Sequence, residues 1–378
     1  MIIGILKEPI TENRVSALPE MAGQIVKMNF DVMVERGAAL RAFASDEDYE
    51  AVGCKIQSRE DTLSFSDLIV CINPPLRADV ERMKSGAVLL SLFYPLNNKE
   101  FVFELLELGI TSFSLDMVPR TTRAQTMDVL SSQATVAGYK AVLLGAAQLP
   151  KFFPMLMTAA GSVAPAKVLV LGAGVAGLQA IATARRLGAV VEAFDTRTAV
   201  KEEVKSLGAK FIEVEGSVES TAAGGYAVEQ TKEFLEKQNE KIYQSAAKAD
   251  LIITTAQIPG RKAPLLIPKS TVDAMKAGSV IIDLAASTGG NCELCRNDET
   301  VVSTNGVTIV GNSNLPSTMP SDASKMFGKN VLNFLKLILQ DGQISLNFED
   351  EIVKGTCITY NKELINNRVK EKWIQQPA

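Results

Sequence analysis

Short apolar runs alternate with amphipathic stretches along the first third of the chain. The stretches at residues 21–28 and 98–108 have helical spacing, and they lie between runs rich in β-branched side chains. These runs predict strands at residues 2–6, 31–35, 68–72, 87–92 and 111–115. Because strands that alternate with helices form a parallel sheet covered on both faces, an α/β domain is predicted here.

A long helical pattern begins near Val129 and predicts a helix that crosses between two domains. The apolar runs that follow predict strands at residues 168–171, 190–194, 210–214, 251–254, 280–284 and 308–310. The last stretch contains a predicted helix at 326–339 and is expected to return to the first domain, because the second sheet is already complete. The predicted domains are a discontinuous flavodoxin-like domain, residues 1–131 with 315–378, and a second domain, residues 132–314.

Three glycines in the spacing G-x-G-x-x-G follow the apolar run 168–171. Gly172 permits a tight turn, Gly174 lets the backbone approach a pyrophosphate, and Gly177 lets a helix lie close on the strand. The glycine pattern alone is a weak indication, since an ordinary strand-to-helix turn can carry it, but here strand, helix and second strand follow in the order of a dinucleotide-binding fold. We therefore predict two doubly wound parallel-sheet (Rossmann-like) domains with a cleft between them, with the dinucleotide bound by residues 132–314.

Asp195 ends the second strand, eighteen residues after Gly177. A carboxylate at this place accepts hydrogen bonds from the adenosine ribose and repels a 2′-phosphate, which favours NAD(H) over NADP(H). Arg197 weakens this argument, because a guanidinium can pair with a phosphate. Alternatively, Arg197 is a solvated loop cation.

Composition and charge exclude several classes of protein. A chain of 378 residues, 47% of them hydrophobic, can bury two cores, and a net charge of −4 gives no basic field for nucleic acid. Residues 1–9 predict a strand entering a loop, not a signal or transit sequence. The most membrane-like region, residues 141–166, is interrupted by Pro150, Lys151 and Pro154 and falls short of the ~20 apolar residues that a spanning helix needs.

The cysteines and the missing histidines narrow the chemistry. Five cysteines without a secretory signal indicate reduced thiols in a cytoplasmic compartment. Cys292 and Cys295 form a single C-x-x-C, which lacks the further ligands of a zinc site, so a surface loop and no metal are predicted. The chain has no histidine, the usual general base of dehydrogenases. Either Lys, Asp or Tyr takes that role, or the reaction needs no proton transfer in this chain.

Two polar stretches have alternative interpretations. Arg120, Gln125, Asp128 and Ser131 lie near the predicted start of the long helix, where Asp and Ser are common caps but where a site is also possible. Residues 215–229 form a loop longer than the about 12–15 residues usual in compact domains. This loop is predicted to be either a lid that closes over a cofactor or an unstructured insert.

Residues 120–133, the glycine turn with residues 195–197, residues 223–226 and residues 281–292 resemble the NAD(H)-binding component of the proton-translocating nicotinamide nucleotide transhydrogenases. The resemblance covers essentially the whole chain, and residues 123–133 are its most specific segment. It implies hydride transfer between NAD(H) bound here and NADP(H) bound by a partner subunit, coupled to proton movement across a membrane. Direct transfer between two nicotinamides would need no general base, which would account for the missing histidine.

The resemblance also implies roles for single residues. Arg120, Asp128 and Ser131 would hold the nicotinamide carboxamide, and Gln125 would lie between the two nicotinamides; these four are the implied catalytic positions. Asp195 would lie on the adenosine side and Gln257 on the far wall. The implied nucleotide contacts are Arg120, Thr121, Thr122, Gln125, Ser131, Gly172, Gly174, Val175, Gly177, Asp195, Thr196, Arg197, Gly225, Tyr226 and Gln257.

Residues 4–9 and 13–15 are shared with the alanine dehydrogenases, a related family. In that family a lysine follows the third strand and a histidine the next one, and residues 71–75 and 91–96 contain neither. Arg14, which would hold a substrate carboxylate there, is therefore interpreted as structural. A soluble alanine-type amino-acid dehydrogenase and a non-catalytic NAD-sensing module remain the alternatives.

The resemblance implies partners as well. Since no spanning segment is predicted, the proton channel and the NADP(H)-binding domain would lie on other polypeptides. The chain would form a homodimer and would sit in the cytoplasm, peripheral to the inner membrane face through its partners, with no nucleic-acid partner.

Overall fold

The computed structural model of the chain describes residues 1–216, 231–258 and 260–374. The chain divides into two compact units, Met1–Gln133 with Pro316–Ala378, and Ala134–Leu315. Gly225 and Tyr226, with most of the predicted lid, lie outside the described residues.

The strands of the described residues are β1 (Ile2–Ile5), β2 (Asp31–Glu35), β3 (Lys55–Gln57), β4 (Leu68–Val70), β5 (Val88–Ser91), β6 (Thr111–Ser114), β7 (Leu156–Thr158), β8 (Gly161–Val163), β9 (Lys167–Leu171), β10 (Val190–Phe194), β11 (Lys210–Phe211), β12 (Leu251–Thr254), β13 (Val280–Asp283), β14 (Thr300–Val302), β15 (Thr308–Val310), β16 (Leu339–Gln340), β17 (Gln343–Ile344), β18 (Cys357–Tyr360) and β19 (Glu363–Leu364).

The helices are α1 (Pro19–Lys27), α2 (Asp46–Ala51), α3 (Arg59–Phe65), α4 (Arg77–Val80), α5 (Lys99–Glu107), α6 (Val129–Gln148), α7 (Val175–Arg186), α8 (Lys201–Ser206), α9 (Lys232–Ala246), α10 (Lys269–Ala274), α11 (Pro320–Ile338), α12 (Glu351–Thr356) and α13 (Asn367–Trp373).

An eight-stranded sheet forms the centre of the first unit, in the order β19-β18-β6-β5-β4-β1-β2-β3. Strands β1 to β6 are parallel to their neighbours, whereas β18 and β19 are antiparallel. Residues after 315 complete this sheet, because β18 pairs with β6. Buried apolar clusters cover both faces, one around Phe327 and Phe334 of α11 and the other around Phe93 and Phe101.

The second unit is built on a seven-stranded sheet in the order β11-β10-β9-β12-β13-β15-β14. Numbered within this unit, the six parallel strands have the order 3-2-1-4-5-6 of the doubly wound dinucleotide-binding fold. Chain direction across the sheet reverses between β9 and β12. Ligands of such sheets bind beyond the carboxyl ends of the strands at this switch point, so the loops after β9, β10, β12 and β13 are the functional ones.

The structure differs from the sequence predictions at the sheet edges. Strand β11 ends at Phe211, and beyond it Glu213 pairs with Lys201 of α8 at 2.7 Å. Strands β14, β18 and β19 are antiparallel additions, so both sheets are mainly rather than wholly parallel. A separate hairpin, β7–β8, was not predicted either. These short edge strands lack the apolar runs on which the predictions depended.

The prediction of a surface loop around Cys292 was wrong. Cys292 is buried, because its main-chain N–H donates to the buried carboxylate of Asp283 at 2.9 Å and its backbone bridges to Ile267. Burial raises the pKa of the Cys292 thiol to about 12, and that of Cys295 also to about 12. Both thiols are therefore protonated at neutral pH and are poor nucleophiles and metal ligands.

Candidate functional site

The glycine turn connects β9 to α7 at the switch point of the second sheet. Gly172 has a φ of +100°, a backbone conformation that L-residues rarely adopt. A Cβ atom on Gly177 would lie 1.8 Å from the main-chain oxygen of Gly172, so only glycine lets α7 start this close to the strand. A Cβ on Gly174 would meet only the Nη2 atom of Arg197, at 4.0 Å. The turn therefore presents open backbone at the amino end of a helix, where anions bind.

Asp195 follows β10 beside this turn, with its side chain 7% exposed. Its Oδ2 atom accepts from the Ala173 main-chain nitrogen at 2.7 Å and from Nη2 of Arg197 at 2.7 Å. Its Oδ1 atom accepts from the main-chain nitrogen of Arg197 at 2.9 Å and from its Nε at 2.8 Å. Arg197 is thus not a solvated loop cation, and the neighbouring carboxylate raises the pKa of its guanidinium.

The loops after β12 and β13 complete this edge of the second unit. Thr255 donates its hydroxyl to the main-chain oxygen of Gly172 at 3.0 Å, which ties the β12 loop to the glycine turn. The side chain of Gln257 is exposed, and its Nε2 donates to the oxygen of Leu284 at 2.9 Å. Val175, at the start of α7, is 43% exposed on the same edge.

Asp283 and Asn291 hold these loops in place. The buried Asp283 carboxylate accepts the main-chain N–H groups of Ala285, Asn291 and Cys292. The buried Asn291 side chain accepts from the Ala256 nitrogen at 3.1 Å and donates to its oxygen at 2.9 Å. Sequence reasoning gave neither residue a role, although both lie in the stretch 281–292 that carries the resemblance.

In the first unit, the residues predicted to hold the nicotinamide share one short segment. Arg120 and Thr122 are exposed and Thr121 half-buried at its start, and Gln125 is exposed on the 3₁₀ turn Thr122–Met127. Asp128 caps α6: its Oδ1 accepts from the Ser131 nitrogen at 2.9 Å, and its Oδ2 accepts from the Ser131 hydroxyl at 2.6 Å. The capping interpretation of this pair is therefore correct, and it leaves the hydroxyl and the carboxylate at the surface beside Gln125.

The 3₁₀ turn is held from α11 and α12. Asn330 and Asn333 of α11 both donate to the main-chain oxygen of Thr126, at 2.8 and 3.2 Å. Arg123 forms an ion pair with Asp350, the N-cap of α12. Neither asparagine has a sequence signal for such a role, since each sits inside an ordinary amphipathic helix.

Arg14 is buried and structural, as interpreted from the sequence. Its guanidinium pairs with Glu12 at 2.6 Å and donates to Oε1 of Gln133 at 2.7 Å. Gln133 in turn donates to the main-chain oxygen of Ala323 on α11 at 3.0 Å. This network fixes the second turn of α6 within the first unit.

The structure therefore places the predicted residues in two groups, one in each unit. Gly172, Gly174, Val175, Gly177, Asp195, Thr196, Arg197 and Gln257 lie at the carboxyl ends of β9, β10 and β12, and Arg120, Thr121, Thr122, Gln125, Asp128 and Ser131 lie in the segment 120–131. Among the described residues, no three His, Cys, Asp or Glu side chains are placed to hold a metal ion, and no helix is long and apolar enough to span a membrane.

Comparison with known families matches both halves of the chain. Residues 4–137 match the family described as alanine dehydrogenase/PNT, N-terminal domain, and residues 141–367 match its C-terminal domain. In Rhodospirillum rubrum, the first of the polypeptides named NAD(P) transhydrogenase subunit alpha is 47% identical over 94% of this chain and 95% of its own length. The corresponding polypeptide of Rickettsia prowazekii is 42% identical over 99% and 98%.

Solved structures agree with these relatives. The crystal structure of a transhydrogenase from Sinorhizobium meliloti superimposes with a TM-score of 0.88 and 41% identity, over 97% of this chain and 100% of that one. Alanine dehydrogenases are more distant, with 27% identity for the Mycolicibacterium smegmatis enzyme over 98% of this chain and 96% of its own.

Proposed function

The chain belongs to the alanine dehydrogenase/PNT family, and on that premise we propose that it is the NAD(H)-binding subunit of a proton-translocating NAD(P) transhydrogenase. The observation that carries the proposal is the glycine turn with Asp195 beside it, at the switch point of a 3-2-1-4-5-6 sheet. Open backbone at Gly174 suits a pyrophosphate, and the Asp195 carboxylate suits the ribose hydroxyls. Residues 134–315 therefore fit a dinucleotide.

The reaction we assign is the transfer of one hydride between the C4 atoms of two nicotinamides, one bound here and one bound by a partner. When one ring is oxidised the other is reduced, and no proton is exchanged at either carbon. The chain therefore needs residues that bind and orient, and it needs no general base, in agreement with a sequence that contains no histidine.

We assign the orienting role to the segment 120–131. Arg120, the Asp128 carboxylate and the Ser131 hydroxyl would hold the carboxamide, and the exposed amide of Gln125 would meet the partner's ring. The internal Asp128–Ser131 hydrogen bonds support this assignment, because they fix both groups before any ligand binds. Thr121 and Thr122 flank them, and in the second unit Val175, Thr196 and Arg197 would line the adenosine side, with Gln257 opposite.

We further propose that the subunit acts as a homodimer, with its NADP(H)-binding partner and proton channel on other polypeptides. It would then lie on the cytoplasmic side of the inner membrane, held there by those partners. The lid assigned to Gly225 and Tyr226 stays a prediction, as does the assignment of residues 1–131 with 315–378 to a flavodoxin-like domain.

The deciding experiment mixes the purified chain with a purified NADP(H)-binding component and follows reduction of an NAD analogue by NADPH. Exchange that needs both proteins supports the proposal. Oxidation of alanine with NAD by the chain alone would instead identify an amino-acid dehydrogenase. NADH binding without exchange, even with the partner present, would identify a nucleotide sensor.

A further inference from the structure

The Asp195 carboxylate has no acceptor position left for a ligand. A carboxylate accepts about four hydrogen bonds. Two of the four found here come from main-chain nitrogens, those of Ala173 and Arg197, and two come from the Arg197 side chain. A ribose that donates its hydroxyls to Asp195 must therefore replace the Arg197 side chain, while both main-chain bonds can remain.

The chain carries the determinants of two opposite specificities within three residues. In dinucleotide-binding folds an acid after the second strand selects NAD, whereas a nearby arginine accommodates the 2′-phosphate of NADP. Here Asp195 and Arg197 are both present, and they bind each other. The guanidinium lies on the nucleotide side of the turn, since its Nη2 atom is the only group within 4.0 Å of a Cβ built on Gly174.

A second cation near the end of β10 is neutralised in the same way. Lys201 of α8 pairs with Glu213 at 2.7 Å. Asp195, Thr196, Thr198, Lys201 and Glu213 line one cavity of about 90 Å³, roughly the liquid volume of three water molecules. Each cation beside this cavity is thus held by a carboxylate, and the cavity presents no uncompensated positive charge to a phosphate.

We infer that Arg197 is a latent 2′-phosphate-binding residue, and that Asp195 excludes NADP(H) both by repulsion and by sequestering this arginine. The inference rests on the proposed binding of NAD(H). NAD(H) binds by displacing the two side-chain bonds of Arg197, whereas NADP(H) needs the guanidinium that Asp195 holds. A protein that passes hydride between the two nucleotides has to keep them in separate sites, and this pair supplies some of that separation.

Four proteins test the inference: the wild type, Asp195→Asn, Arg197→Gln and the double variant. Dissociation constants for NADH and NADPH are measured by nucleotide fluorescence and by calorimetry. Asp195→Asn should strengthen NADPH binding at least tenfold, and the double variant should lose most of that gain. Arg197→Gln alone should leave NADPH weakly bound.

A charge-matched control separates a specific contact from net charge. Lys210 pairs with Glu192 at 2.9 Å on the exposed side of β10 and β11, so Lys210→Gln removes one positive charge nearby. The variant Asp195→Asn with Lys210→Gln should keep the NADPH gain. Equal NADPH affinity in Asp195→Asn and in Asp195→Asn with Arg197→Gln would overturn the inference, as would the absence of any gain.

The asparagine retains an acceptor for the Ala173 nitrogen, and thermal unfolding checks that the variant folds. If it does not fold, Asp195→Ser takes its place in the same four-protein comparison. Failure of the wild type to bind NADH overturns the proposed function itself. Tight NADH binding by the wild type, without an NADPH gain that depends on Arg197, overturns only the inference.

Discussion

The Nδ2 atom of Asn330 donates a hydrogen bond to the main-chain oxygen of Thr126, 2.8 Å away and 204 residues earlier in the chain. This bond fixes the 3₁₀ turn that carries Gln125. Asn330→Ala should slow hydride transfer about tenfold while NADH affinity changes little, because a misplacement of order 1 Å can cost ~100-fold in rate. Stopped-flow transfer and NADH titration measure the two effects.

Asn366 provides the control for Asn330→Ala, since it is also buried and donates to a main-chain oxygen, that of Gly355, at 2.7 Å. Both alanine variants should lower the free energy of unfolding by about 1–3 kcal/mol. Only Asn330→Ala should slow transfer in the folded protein. Equal transfer rates in the two variants would remove Asn330 from any positioning role.

Gln125→Asn should slow hydride transfer much more than it weakens NADH binding. The side chain is exposed and shortened by one methylene, so stability should change by less than about 0.5 kcal/mol. The exposed Gln343, changed to Asn in the same way, should alter neither quantity. A parallel loss of rate and affinity, or no loss in either, contradicts the assignment of Gln125 between the two rings.

Asp128→Ala removes the cap of α6 and should lower the free energy of unfolding by about 1 kcal/mol. Ser58 caps α3 by accepting from the Asp61 nitrogen at 3.0 Å, so Ser58→Ala should cost a similar amount. If Asp128 also holds the carboxamide, only its variant weakens NADH binding, as measured by titration. Unchanged affinity would limit Asp128 to capping.

Gly177→Ala and Gly174→Ala should separate folding from binding. The first places a Cβ 1.8 Å from the Gly172 oxygen and should destabilise the second unit by more than about 3 kcal/mol. The second meets no protein atom closer than 4.0 Å, so its unfolding temperature should be unchanged while NADH affinity falls at least tenfold. Urea unfolding and NADH titration of both variants test this, and a stable Gly177→Ala would show that α7 can move away.

Asp116, after β6, gives a pH dependence of known sign. Burial raises its pKa to about 6, against bonds from Ser114 and from the Tyr94 nitrogen and the charge of Arg368, which lower it. Below pH ~4 the group is protonated in both states and contributes nothing. Between pH ~4 and 6 the unfolded chain ionises first, so stability falls as pH rises, by at most about 3 kcal/mol.

Asp116→Asn retains an acceptor but cannot ionise. It should equal the wild type in stability near pH 4 and exceed it above pH 6, when both are unfolded in urea across this range. A stability difference that does not vary with pH would mean that the folded-state pKa of Asp116 is not raised.

The sequence predicts those features that depend on local order. Gly172, Gly177 and Asp195 lie within one βαβ unit, so their spacing alone specifies the turn, the packing of α7 and the position of the acid. The Asp195–Arg197 pair was not predicted, because two residues at this spacing can point toward each other or toward solvent, and only the folded loop decides.

Contacts between distant segments were beyond the sequence as well. Asn330 reaches Thr126, and the Asn291 side chain reaches the backbone of residue 256, with nothing in either local pattern to indicate it. Cys292 was misplaced for the same reason, since the polar residues around it indicate a loop but give no sign of the buried Asp283 to which that loop binds.

The pairing of β18 with β6 has a consequence for synthesis. Ser112 and Thr359 share a 2.6 Å hydroxyl contact across these strands, yet the ribosome makes the entire second unit between them. At ~5–20 residues per second, β6 waits tens of seconds for its neighbour. The nascent N-terminal sheet thus carries an open, apolar edge during that interval, a period in which a chaperone has most to protect.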